Sequence, residues 1–236
     1  TLDAFSYLAT DLSTGFVFAE RGRDEVVPAG ALTKVMTALV AAEYINLDAK
    51  VTVPESAIVE TEKPRLTAGA KVRVYDLLFP LLRESSNEAA MVLSSMLGRE
   101  KFVETMNKKA ASLGMKSTHF VDALGTTDEN VTTPADLYQL MLYIEDNRSF
   151  ILNIASGKVH ASAYGTSKFD DEEEHEDAPS TSLGIHGMHG ELSSGMYLLP
   201  VRINGEERRI SVSILMSPHE ESDLELLKAF IEKAYE

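Results

Sequence analysis

The hydrophobic pattern of this chain changes period twice, from alternation to helical spacing and back. Phe5-Ser6-Tyr7-Leu8-Ala9-Thr10 and Phe16-Val17-Phe18-Ala19 are strand-like, with Asp11-Leu12-Ser13-Thr14-Gly15 turning between them, which predicts a hairpin over 4–20. A helix is predicted from Leu32 to about Tyr44, then a short strand at Val51-Thr52-Val53. Four helical patterns follow, at Val74 to Leu82, Glu88 to Leu97, Glu100 to Leu113 and Pro134 to about Glu145. The last opens with Thr133 as N-cap, Pro134 at the first helical position and Asp136 in the first turn. Alternation returns in Met196 to Ile203 and Arg209 to Met216, which flank Asn204-Gly205, a dipeptide suited to a tight hairpin. A closing amphipathic helix runs from about Glu221 to Tyr235, with Leu224, Leu227, Phe230, Ile231 and Ala234 on one face. Strands, helices, then strands and a helix predict an α/β (α+β) domain spanning 1–236. One antiparallel sheet draws on 1–53 and 184–236, and a helical subdomain occupies roughly 55–150.

Within this pattern the first helix is unusual. Leu32, Val35, Met36, Leu39 and Val40 form one apolar stripe, while Ala31, Lys34, Ala38, Ala41 and Ala42 form the other face. Lys34 is the one charge between Ala31 and Ala42, so the helix is expected to be buried nearly all round. An unpaired ammonium is costly to remove from water, and a lysine kept there is a candidate functional residue whose pKa burial lowers. The bland alternative is that Lys34 snorkels to a surface.

Composition narrows the partners. At 236 residues and 44% apolar content the chain can bury one sizeable core. Its formal net charge of -15 argues against nucleic acid and against polybasic attachment to anionic lipid. The absence of cysteine excludes disulfides, a thiolate nucleophile and cysteine-ligated metal. No apolar run approaches the ~20 residues of a membrane helix, and the chain opens on Thr1-Leu2-Asp3 without a charged-then-apolar run, so export would imply a leader already removed. Asp170 to Asp177 is an acidic run best explained as a solvated loop, because it lacks the glycine and spacing of a calcium loop.

Two further segments carry polar groups in suggestive places. Ser85 with Glu88 has the form of a capping box opening the next helix. The same tight turn would also let Ser85 and Asn87 project as functional groups. In Leu183-Gly184-Ile185-His186-Gly187-Met188-His189-Gly190-Glu191-Leu192, two histidines three apart could ligate a metal. The glycines fit better with a strand edge that a ligand approaches closely.

In order and spacing, these segments resemble the serine-type D-alanyl-D-alanine carboxypeptidases among the low-molecular-mass penicillin-binding proteins, whose signature is Ser-x-x-Lys, Ser-x-Asn and Lys-Thr-Gly. The resemblance extends along nearly the whole chain. It includes Tyr7 to Gly15, Leu66-Thr67-Ala68-Gly69, Val74 to Leu78, Phe102 to Ala110, Leu113 to Phe120 and Thr132 to Leu137. It implies a β-lactamase/transpeptidase-like fold, no cofactor, no resident metal and an extracytoplasmic location. It also implies a peptidoglycan stem peptide ending in D-Ala-D-Ala as ligand. Carried over, position 31 is that of the nucleophile, Lys34 its base, Ser85 a proton relay and Asn87 the group that holds the substrate amide. The oxyanion hole would be the N–H of residue 31 and one from the third-motif strand.

Two departures stand out. Position 31 is alanine, which cannot form an acyl-enzyme. The third motif falls on His186-Gly187-Met188 or, in a shifted register, on Met188-His189-Gly190, and in both the lysine and threonine that take the terminal carboxylate are missing. Three readings follow. The first is a degenerate homologue that binds stem peptide, a partner or β-lactams non-covalently. The second is an active carboxypeptidase carrying an engineered serine-to-alanine change at position 31. The third is a metal-binding protein using His186 and His189.

Overall fold

A computed structural model describes residues 2–157, 167–169, 183–189 and 191–234, with the side chains of 183–186, 188 and 189 outside the description. Strands β1 (Ser6–Asp11) and β2 (Val17–Arg21) form the expected hairpin. The Asp11 carboxylate accepts from the backbone N–H of Ser13 and Thr14 and from the Ser13 hydroxyl, which closes the turn. After β3 (Val27–Pro28), a 3-10 turn at Gly30–Leu32 runs directly into α1 (Thr33–Tyr44). From Thr33 to Ala41 every residue of α1 is buried, as its near-absence of charge requires.

The strand expected at 51–53 forms as β4 (Lys50–Thr52) but does not join the main sheet. It pairs antiparallel with β5 (Lys71–Arg73) in a ribbon of its own. Its single apolar residue, Val51, lies between exposed Lys50 and Thr52, so β4 has little face to contribute to a buried layer. Helices α2 (Val74–Arg83), α3 (Asn87–Leu97) and α4 (Arg99–Ser112) follow close to their expected bounds. β6 (Val131–Thr132) pairs with β3, and α5 (Pro134–Asn147) opens on the Thr133 hydroxyl, which accepts from Asp136 N–H at 3.1 Å. A short helix, α6 (Phe150–Ala155), has no counterpart in the sequence reading, since six residues are too few to display helical periodicity.

The chain ends in β7 (Leu183–His189), β8 (Leu192–Ile203), β9 (Glu206–Ser217) and α7 (Glu220–Ala234). Asn204 and Gly205 turn between β8 and β9 with φ of 50° and 80°, the left-handed pair a two-residue hairpin favours. The main sheet has the order β2-β1-β9-β8-β7 and is antiparallel throughout, so both ends of the chain build it. Alternation along β8 divides the apolar residues between two cores. Met196 and Leu198 face the helical layer. Tyr197, Leu199 and Val201 pack with Ile210, Val212 and Ile214 beneath Leu224, Leu227 and Ile231 of α7. The result is three layers, with α7 on one face of the sheet, the helices centred on α1 on the other, and β7 at the sheet edge beside the Gly30–Leu32 turn.

Candidate active site

Ala31 lies in the 3-10 turn and Lys34 in the first turn of α1, so one helical turn separates them. Lys34 is only 4% exposed, which rules out the snorkelling alternative. Its Nζ donates to the carbonyl of Leu124 at 2.5 Å. Burial pushes its pKa down to about 8, while the Asp122 carboxylate pulls the other way. An amine tuned to that range is a usable proton acceptor near neutral pH.

Residues 122–130 form the cradle beneath this turn. The Asp122 carboxylate accepts from Leu124 N–H and Gly125 N–H, each at 2.7 Å, and from Asn130 Nδ2 at 3.0 Å. Fully buried Asn130 accepts through Oδ1 from Val121 N–H and Asp122 N–H and donates to the Thr33 hydroxyl. The carbonyl of Ala123 receives the Thr37 hydroxyl at 2.7 Å. Gly125 has a φ of 77°, and a Cβ there would overlap the carbonyl of Gly30. The loop thus touches Gly30, Thr33, Lys34 and Thr37, a single face of α1 and the turn before it. The sequence reading missed Asp122, Leu124 and Asn130. The available signal was Asp122-Ala123-Leu124-Gly125, an Asp followed by a turn glycine.

At the α2–α3 junction the structure corrects the capping box. The N-cap of α3 is Ser86, whose hydroxyl accepts from Ala89 N–H at 3.2 Å. Glu88 turns to the backbone N–H groups of Arg65 and Leu66 instead of the helix end. Ser85 has a φ of 51°, a left-handed conformation that is costly outside glycine, and its hydroxyl makes no hydrogen bond among the described residues. The sharp reversal has a local cause. The carbonyl of Pro80, inside α2, accepts from both Glu84 N–H and Ser86 N–H, which tightens the turn around Ser85.

Asn87, the first residue of α3, donates from Nδ2 to the carbonyl of Glu60 at 2.9 Å, and its Oδ1 is buried with no partner among the described residues. Segment 60–66 therefore clasps the start of α3, reinforced by two hydrogen bonds from Arg65 to Glu84 at 2.6 and 3.1 Å. No hydrogen bond links Lys34 to Ser85 or Asn87 among the described residues; α1 and α3 meet through packing.

On the opposite side, Gly187 of β7 lies against Ala31, and a Cβ there would overlap the Ala31 methyl. The glycine-rich segment is thus a strand edge, as the glycines suggested. Gly187 pairs with Ser194 and His186 with Gly195 across the β7–β8 ladder. The side chains of His186 and His189, Gly190 and the acidic run 170–177 lie outside the described residues. The structure brings Ala31, Lys34 and Gly187 together and places Ser85 and Asn87 at the head of the helix packed on α1.

The fold is that of the transpeptidase-type α/β proteins. A crystal structure of a D-alanyl-D-alanine carboxypeptidase from Mycobacterium tuberculosis superposes with a TM-score of 0.82 at 24% identity, covering 100% of this chain and 93% of that one. A DD-transpeptidase of Streptomyces K15 gives 0.80 at 24% identity, covering 98% of both chains. The model of the D-alanyl-D-alanine carboxypeptidase family, peptidase S11, matches residues 1–175, and the chain belongs to that family. A D-alanyl-D-alanine endopeptidase of Pseudomonas aeruginosa is 38% identical over 147 residues, which is 58% of this chain and 46% of that protein. The chain spans about half the length of the curated relatives it matches. No helix among the described residues is long and apolar enough to cross a membrane.

Proposed function

We propose that this chain holds the D-Ala-D-Ala end of peptidoglycan stem peptides in the cell envelope without being acylated by it. The observation that carries this reading is the pairing of Ala31 with a buried Lys34. The base is in place with a pKa of about 8, one helical turn from a side chain that has no hydroxyl for it to deprotonate. The third motif supports the same reading. The family match ends at residue 175, before β7, where neither register supplies Lys-Thr-Gly. In the register that starts at His186, Gly187 is the residue that meets Ala31, and a protonated His186 would stand in for the carboxylate-binding lysine.

A second reading treats Ala31 as a replacement for serine in an acylating carboxypeptidase. The retention of a buried Lys34 at a desolvation cost favours it. Two measurements on purified protein test these readings. The chain as it stands is expected to bind a peptide ending in D-Ala-D-Ala more tightly than its L-Ala-L-Ala counterpart by calorimetry, with no covalent labelling by a fluorescent penicillin. Equal binding of both peptides, or none, overturns the binding role. Ala31→Ser then separates the two readings. Labelling and release of D-alanine would show a site lacking only its hydroxyl, whereas continued silence places the defect in β7 as well.

A further inference from the structure

We infer that Asp122 is the positioning residue for Lys34: its carboxylate folds residues 122–125 into the turn that aims the Leu124 carbonyl at the ammonium. The inference rests on the preceding reading only in treating Lys34 as a base. The positioning itself follows from the hydrogen bonds. One carboxylate oxygen, Oδ1 of Asp122, takes the N–H groups of both Leu124 and Gly125 together with Asn130 Nδ2. With those two N–H groups turned inward, the Leu124 carbonyl points to α1 and accepts from Lys34 Nζ at 2.5 Å. The turn has little freedom to rotate. Gly125 lies too close to the Gly30 carbonyl to admit a side chain, and the Ala123 carbonyl is engaged by the Thr37 hydroxyl. Asn130 locks the other end by bonding Asp122 and Thr33 at once.

The same carboxylate also acts on Lys34 through its charge. Burial favours the neutral amine, and Asp122 is the charge that opposes it. Within the turn the Leu124 carbonyl supplies a neutral dipole, and the α1 side chains around Lys34, from Thr33 to Ala41, carry no other charge. On the elements packed against it, α3 begins with Asn87 and Glu88, and the Glu88 carboxylate is engaged with the N–H groups of Arg65 and Leu66. Asp122 therefore has two separable effects. The oxygen that accepts from the backbone sets where Lys34 Nζ sits, and the negative charge sets how firmly Lys34 keeps its proton. Asparagine would retain the first and remove the second.

The test follows Lys34 itself. Its Cε resonance is titrated by NMR from pH 6 to 11 in the unaltered chain and in Asp122→Asn, with the resonance assigned through Lys34→Arg. In Asp122→Asn the Leu124 and Gly125 amides are expected to stay protected, and the Lys34 midpoint to fall by about one pH unit. Asp122→Ala removes the accepting oxygen as well, so there the two amides are expected to exchange faster and the Leu124 carbonyl resonance to shift. Amides that stay protected in Asp122→Ala overturn the inference, whereas an unchanged midpoint in Asp122→Asn overturns the charge effect. Should Asp122→Asn not fold, the unaltered chain still decides. The Asp122 Cγ and Leu124 carbonyl resonances are expected to step at the midpoint of Lys34, and flat traces overturn the inference. None of these readouts needs a bound peptide, so equal binding of the D-Ala-D-Ala and L-Ala-L-Ala peptides would sink the functional reading while leaving the Asp122–Lys34 coupling measurable.

Discussion

Lys34 is held at a cost that the packing of α1 does not require. Its pKa falls from 10.5 to about 8, and at 1.36 kcal/mol per unit this corresponds to about 3 kcal/mol of stability forgone while the amine is protonated. The sign follows from proton counting. Between about pH 8 and 10.5 the unfolded chain binds more protons at this site than the folded one, so stability rises with pH across that window. Lys34→Met keeps the volume and removes the charge, although it leaves the Leu124 carbonyl unpaired at a cost of about 1 kcal/mol. The variant is therefore expected to be more stable than the parent by about 2 kcal/mol at pH 7. The gap should narrow as pH climbs from 8 to 10.5. Urea denaturation at pH 7, 9 and 10.5 measures it, and a gap that ignores pH would show that the ammonium is not what costs stability. Ser85 has a similar character, since its left-handed backbone is strained and its hydroxyl does not serve the helix cap.

At the scale of elements, the site depends on two close approaches to the turn that carries Ala31. One is the 122–125 loop below it; the other is β7 beside it. Gly187→Ala places a methyl into that of Ala31, whose position is fixed by the backbone of the turn, so β7 has to move. Overpacking of this kind costs about 1–3 kcal/mol. Hydrogen exchange is expected to quicken along β7 and at Gly30–Leu32 while the β8–β9 hairpin stays protected. Exchange that quickens everywhere or nowhere would mean that Gly187 is not a local spacer. Elements with many residues in one period were legible in the sequence: α1, α5 and the Asn204-Gly205 hairpin form as their patterns predict, while α7 forms with Leu224, Leu227 and Ile231 buried but with Phe230 and Ala234 of its expected apolar face exposed. Partnership was not. Val51 marks a strand, but nothing local says that β4 will pair with β5 and leave the main sheet alone. Ser85 and Ser86 are chemically equivalent as caps, and only the tight turn at the Pro80 carbonyl shifts the role to Ser86. Lys34 was visible as an unexpected charge, whereas its acceptor lies 90 residues away at Leu124, in a loop without hydrophobic periodicity.

For the whole molecule, the polar network at the far end of α1 contrasts with Lys34. Glu43, nine residues along the helix, accepts from the Tyr143 hydroxyl at 2.5 Å and pairs with Lys109 Nζ at 2.7 Å and with Arg148 at 3.6 Å. Lys109 Nζ also sits 3.8 Å from the centroid of the Tyr143 ring. This network ties α1 to α4 and α5 on the side of the core away from the Ala31 turn, so one end of α1 is anchored by satisfied charge and the other carries a poorly satisfied one. Burial alone would raise the Glu43 carboxyl, but the hydrogen bonds from Lys109 and Tyr143 outweigh it and hold the group below its ordinary range. Burial would lower Lys109, and Glu43 and Tyr143 outweigh that as well, raising it. The stabilising contribution of Glu43 is thus fully present above its unfolded value of 4.5 and is lost as pH falls through the folded value. That of Lys109 is present below 10.5 and lost as pH rises through its own folded value. Glu43→Ala is accordingly expected to destabilise the chain by about 2 kcal/mol at pH 7. The difference should hold steady to about pH 5 and fade in stronger acid, where the parent carboxylate is itself protonated. Denaturant titrations at pH 7, 5 and 3.5 on Glu43→Ala, Lys34→Met and the double variant check it. With the two sites at opposite ends of α1, the effects should add to within about 0.5 kcal/mol. A larger coupling would mean that the helix transmits strain between Glu43 and Lys34, and that the two ends of α1 do not act independently.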